Sequence, residues 1–69
     1  LSKIELSAGA MYNANSFSLE IVIVTEGSVL VNQRMVLKKG EAAAILAETE
    51  YSLTATGNCT LFKAFVPSI

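Results

Sequence analysis

Apolar residues in this chain fall mostly at every second position, in short runs separated by glycine, asparagine or charged pairs. A period of two is the mark of strands, whose side chains alternate between faces. The most evident run is Ser18 to Thr25, with Leu19, Ile21, Ile23 and Thr25 on one face and Glu20, Val22, Val24 and then Glu26 on the other. It is rich in β-branched residues and poor as a helix. Both faces are apolar in the middle, so this strand is predicted to be central and covered on both sides, by a core and by a neighbouring domain. Glu26-Gly27 breaks the run, and glycine there supplies a backbone conformation other residues avoid.

Ser28 to Val31 and Met35 to Leu37 follow as two strands, joined by a hairpin at Asn32-Gln33, since asparagine tolerates positive φ. A polar turn, Lys38-Lys39-Gly40-Glu41, leads into Ala42 to Leu46. Its alanines favour helix, but it is short and flanked by turns and strands, so it is assigned as a strand. Tyr51 to Thr56 alternates cleanly, with Tyr51, Leu53 and Ala55 on one side. Gly57-Asn58 reads as a second hairpin turn. In the last strand, Cys59 to Val66, Leu61, Lys63 and Phe65 oppose Phe62, Ala64 and Val66, and Pro67 ends it. Lys3 to Leu6 and Met11 to Phe17 are shorter strands on either side of Gly9. The pattern predicts an all-β domain, a small barrel or sandwich of seven or eight short strands.

Composition bounds what such a domain does. At 69 residues the chain is one domain, and a domain of this size buries only roughly 60% of its unfolded surface. Its hydrophobic fraction is 52% and its charged fraction 16%, too apolar for disorder and more apolar than one small core absorbs. Some of that surface is expected to dock on a partner. Net charge is −1, the basic residues are scattered, and the aromatic residues are not interleaved with them, which argues against nucleic acid. No apolar run is long enough to span a bilayer, and no charged-then-apolar leader precedes the strands. The single cysteine, Cys59, has no internal partner for a disulfide, which points to a reducing, cytoplasmic setting. The chain opens on Leu1 and not Met, as a fragment of a longer protein does.

The glycines and one glutamate carry a further pattern. Glu20 and Gly27 match the end of G-x5-H-x-H-x3,4-E-x6-G, and Gly40 matches the start of G-x5-P-x-G-x2-H-x3-N. In this the chain resembles the cupin family of jelly-roll barrels. Counting back from Glu20, the paired histidines fall on Ala14 and Ser16 or on Asn13 and Asn15. Counting on from Gly40, the proline, glycine, histidine and asparagine fall on Leu46, Glu48, Tyr51 and Ala55. Histidine is absent from the whole chain, and three of the four metal-ligand positions are replaced. A first-row metal needs several imidazoles or carboxylates converging on one point, so a metal-free, degenerate cupin domain is expected over residues 1–69.

Within that superfamily, three segments in order look most like the C-terminal domain of type I mannose-6-phosphate isomerases: Val24 to Val31, Leu37 to Ile45, and Gly57 to Pro67. The resemblance covers about the last three quarters of the chain. It implies a non-catalytic packing or interaction module whose partner is the upstream catalytic domain of the same parent, and it leaves homo-oligomerisation open. The parent is expected to interconvert mannose 6-phosphate and fructose 6-phosphate, with zinc and catalytic groups upstream. The alternative is a stand-alone, metal-free cupin that holds a small sugar or acid in the barrel mouth.

On either reading the candidate ligand-binding residues are Glu20, the surviving ligand-type residue, and Tyr51, through its hydroxyl. Each also has a plain structural account, a carboxylate at a solvated strand edge and a ring in the core with a wet tip. No catalytic residue is assigned, because no Ser/His/Asp or Cys/His set exists without histidine. Glu48 and Glu50 are read as a solvated pair, Lys38, Lys39 and Arg34 as surface charges, and Cys59 as a buried, inert thiol.

Overall fold

The computed structural model describes residues 1–67. Eight strands form in chain order: β1 (Ser2–Leu6), β2 (Met11–Ser16), β3 (Glu20–Glu26), β4 (Ser28–Val31), β5 (Met35–Lys38), β6 (Ala42–Ile45), β7 (Thr49–Ala55) and β8 (Cys59–Phe65). They make two four-stranded antiparallel sheets, ordered β1-β8-β3-β6 and β2-β7-β4-β5. Strand one pairs with eight, two with seven, three with six and four with five. This is the order obtained by winding one long hairpin into two layers, the jelly roll. The sheets face each other as a sandwich and do not close into a barrel.

Only β4 and β5 are joined as a hairpin. Its loop is Asn32, Gln33 and Arg34, with the Arg34 N–H donating to the Val31 carbonyl at 3.0 Å, and Asn32 and Gln33 both have positive φ (53° and 59°), the left-handed region in which asparagine is enriched. Every other connection crosses from one sheet to the other. The hairpin expected at Gly57-Asn58 is therefore an arch, since β7 belongs to one sheet and β8 to the other. The turn chemistry was legible there, but a turn does not by itself say whether its flanking strands pair.

The core follows from the alternation. Val22 and Val24 on β3, Val29 and Val31 on β4, Leu53 and Ala55 on β7, and Cys59 and Leu61 on β8 are buried between the sheets, joined by Leu37, Ile45 and Tyr51. Burying a side chain of this size stabilises by about 1.5–3 kcal/mol. The interior is thus filled by side chains along most of its length.

On the outer side of β3 the expectation differs from what this chain provides. Ile21 and Ile23 remain 38% and 40% exposed, so β3 is central in its sheet but covered on one face only. Their neighbours in register are Ala44 and Ala42 on β6 and Ala64 and Phe62 on β8, which makes a low, apolar outer face.

Candidate functional site

At one end of the sandwich the core-facing alternation continues but the residues change character. Glu20 opens β3 on the same face as Val22 and Val24. Tyr51 precedes Leu53 and Ala55 on β7, Lys63 follows Cys59 and Leu61 on β8, and Tyr12 enters from β2. Pairing then brings these four side chains together. Tyr51 donates its hydroxyl to Glu20 Oε1 at 2.7 Å, and Lys63 Nζ lies 3.7 Å from the same oxygen, an ion pair without a hydrogen bond. Lys63 also donates to Tyr12 Oη at 3.0 Å. Its nitrogen is 5.4 Å from the Tyr12 ring centre, so the contact runs through the hydroxyl and not the ring face. The two tyrosine rings are tilted at 49° with centres 6.4 Å apart.

The two predicted ligand residues therefore bind each other. Glu20 is only 7% exposed, not a solvated strand-edge carboxylate, and the Tyr51 hydroxyl is bonded to it instead of wet. Tyr12 and Lys63 were not singled out from the sequence. The signal was present: Lys63 has the same parity on β8 as Cys59 and Leu61, and a lysine on a core-facing position needs an internal counter-charge.

Burial, and after it the bond to Glu20, pushes the Tyr51 hydroxyl up to about 12. The Lys63 ammonium is also held above its usual range, chiefly by its bond to Tyr12 and against the effect of burial. For Tyr51 the fold keeps the neutral phenol. The stability tied to it is complete below the ordinary value of 10.0 and is lost as pH rises through about 12. A shift of this size corresponds to about 2–3 kcal/mol. Thermal midpoints are expected to fall across that alkaline window, with the Tyr51 phenolate absorbance rising only as the fold is lost. A Tyr51→Phe variant would lose this part of the fall.

Beside the cluster, Ser16 is buried at the end of β2. Its Oγ accepts from the Thr49 N–H at 3.1 Å and lies within donating reach of the Leu46 and Thr49 carbonyls. The Glu48 N–H bonds to the Ser16 carbonyl at 2.7 Å, and Glu48 itself takes positive φ. Ser16 thus fastens the β6–β7 connection to β2. Ser16→Ala is expected to lower stability by about 1–3 kcal/mol, read as a lower denaturant midpoint at unchanged slope.

Burial separates the two pairs of positions named on β2. Ala14 and Ser16 face the interior while Asn13 and Asn15 are exposed, so the positions that face Glu20 and Tyr51 are Ala14 and Ser16. Neither side chain replaces an imidazole, and the one carboxylate is engaged by an ammonium and a phenol. Among the described residues no three His, Cys, Asp or Glu side chains gather as a metal site would require. This donor set does not fit a first-row metal.

The remaining candidates are dispersed. Glu48 sits in an exposed turn and Glu50 on the outer face of β7. Lys39 makes an exposed ion pair with Glu26 at 3.4 Å, and Arg34 and Lys38 are exposed around β5. Cys59 is buried, and burial pushes its thiol up, away from reactivity. Among the described residues no helix is long and apolar enough to cross a membrane.

A cleft of about 250 Å³ lies at the same end, between β4–β5 and β6, lined by Val31, Met35, Ala44, Ile45 and Tyr51 among others. A larger, polar one of about 530 Å³ lies on the outer face of the second sheet. No protein-family model matches the sequence, and no curated protein is similar enough to count as a relative.

Proposed function

We infer that this domain is a non-catalytic packing module, the carboxy-terminal jelly-roll domain of a mannose-6-phosphate isomerase-like protein that acts in the cytoplasm. The observation that carries the packing role is the uncovered apolar face of the first sheet, built by Ile21 and Ile23 between Ala42, Ala44, Phe62 and Ala64. Three strands about 4.8 Å apart give this patch an area of roughly 300 Å². A stable free-standing interface needs about 800 Å² from each partner, so the patch alone is too small to hold a separate protein. A covalently joined neighbour has a high effective concentration and needs less. The occupant is therefore the larger domain of the same parent chain. The parent's activity rests on the three ordered segments that resemble the isomerase family, and the interior, with Glu20 paired to Tyr51 and Lys63, leaves the chemistry to that larger domain. The same pairing weighs against a sugar or acid held in the mouth by Glu20 and Tyr51.

The experiment assays the full gene product and the 69-residue chain separately for interconversion of mannose 6-phosphate and fructose 6-phosphate. Turnover by the full product and none by the chain is expected. Ile23→Lys is expected to destabilise the full product while leaving the chain's own melting nearly unchanged. A full product without isomerase activity, or one equally stable with Ile23→Lys, overturns the reading.

A further inference from the structure

The outer face of the second sheet differs from that of the first. Where β3 presents isoleucines, β2 and β7 present Asn13, Asn15, Glu50 and Ser52, in two directly opposed pairs: Asn13 with Ser52 and Asn15 with Glu50. With Asn32 from the β4–β5 turn they line the open cleft of about 530 Å³, within the range of small-molecule sites, about 300–1,000 Å³.

Asn32 is held in place from two sides. Its backbone N–H donates to the Ser52 carbonyl at 2.9 Å, and its side-chain oxygen accepts from the Ser52 N–H at 2.9 Å. That clamp uses the oxygen of the amide and leaves the Asn32 NH₂ to donate elsewhere. Asn13, Asn15 and Glu50 make no side-chain hydrogen bond or ion pair within the described residues. The cleft thus offers several amide donors and acceptors, one carboxylate and one hydroxyl on a rigid sheet.

The charge pattern selects among ligands. No lysine or arginine lines the cleft, and Glu50 repels anions, which weighs against phosphates and carboxylates. One carboxylate is too few for a divalent cation. Adjacent donors and acceptors without net positive charge suit adjacent hydroxyl groups, each of which donates and accepts. We propose that this face binds a neutral carbohydrate, through the Asn13–Ser52 and Asn15–Glu50 pairs and the fixed Asn32 amide. No aromatic ring offers a stacking surface, since the Tyr51 ring is turned into the core, so the affinity belongs in the millimolar range.

The test is a backbone-amide NMR titration of the 69-residue chain and, in parallel, of the full gene product, with glucose, mannose, maltose and glucose 6-phosphate. Saturable shifts confined to β2, β7 and the Asn32 turn are expected with the neutral sugars, and weaker ones with the phosphate. An Asn13→Ala/Asn15→Ala double variant alters exposed side chains only, so its spectrum should stay folded while binding weakens about tenfold. No shifts at tens of millimolar sugar, shifts located elsewhere, tighter binding of the phosphate, or unchanged binding by the folded variant would each overturn the proposal. None of these outcomes depends on whether the full product is an isomerase.

Discussion

Gly27→Ala is expected to leave the chain unfolded, or nearly so, at room temperature. Two independent costs meet at this residue. Its φ is +77°, where a Cβ strains the backbone by about 1–2 kcal/mol. An added Cβ would also lie 2.3 Å from the Asn58 carbonyl oxygen and 3.0 Å from Cys59 Cα. Those are backbone atoms of the arch between β7 and β8, and they cannot swing aside as a side chain does. The arch is fixed as well by the Ala8 N–H donating to Asn58 Oδ1 and by Thr25 Oγ1 donating to the Thr60 carbonyl. Relieving the overlap means separating the β3–β4 crossing from that arch, which also disturbs the β3–β8 pairing at the heart of the first sheet. A domain of this length has about 3–10 kcal/mol of stability in total.

Gly9 and Gly40 serve as internal controls. Both have positive φ, +83° and +87°, but a Cβ at either meets nothing within 4 Å. Gly40→Ala should therefore cost only the backbone strain, about 1–2 kcal/mol. Far-ultraviolet circular dichroism and urea unfolding of the two variants separate the terms. A Gly27→Ala chain that melts like Gly40→Ala would show that the close approach to Asn58 is not a constraint on the fold.

Strand existence was legible because the period of two is kept in the runs that carry the core, β3, β4, β7 and β8, where alternate residues are buried, and turn residues marked off the rest. The ends were less so. Ser18 and Leu19 continue the apolar pattern but fall outside β3, whose pairing with β6 and β8 begins at Glu20. Thr49 and Glu50 look like loop residues yet belong to β7, because Ser16 and Asn15 on β2 pair with them. Such boundaries are set by the partner strand, which a single run of sequence does not contain.

The site divides in the same way. Glu20 and Tyr51 were singled out as candidate ligand residues, whereas their contact with each other depends on which strands face each other across the sandwich. Tyr12 and Lys63 come from the two ends of the chain, 51 positions apart. The polar cleft was not legible, since Asn13, Asn15, Glu50 and Ser52 become neighbours only through the β2–β7 register. The outer apolar face was half legible. The doubled apolar character of β3 was plain, and the excess of apolar residues in so small a chain pointed to a docking surface.

Glu20→Ala is expected to be the most damaging side-chain change, at about 2–4 kcal/mol. It removes the only carboxylate paired with Lys63 among the described residues, leaving an ammonium that is 19% exposed with a phenol for company, and it strips the Tyr51 hydroxyl of its acceptor. Breaking one member of a buried charge pair commonly costs about 3–5 kcal/mol, and the partial exposure of Lys63 brings the expectation to the lower part of that range. Glu20→Gln isolates the charge. Its amide oxygen still accepts from Tyr51, so its loss should be about half as large. Lys63→Met should cost less than Glu20→Ala, because Tyr51 keeps its bond and an apolar side chain suits the space. The decisive variant is Glu20→Leu with Lys63→Met, in which both charges go together. If the pair serves the orientation of this end of the sandwich and not net stability, the double variant regains most of what Glu20→Ala loses, because neither charge is left without its partner. Denaturant unfolding of Glu20→Leu, Lys63→Met and the double variant, each against the unsubstituted chain, reads the coupling directly. Strict additivity would mean that Glu20 and Lys63 do not interact across the sandwich, and the reading of this end as a self-contained network would fall with it.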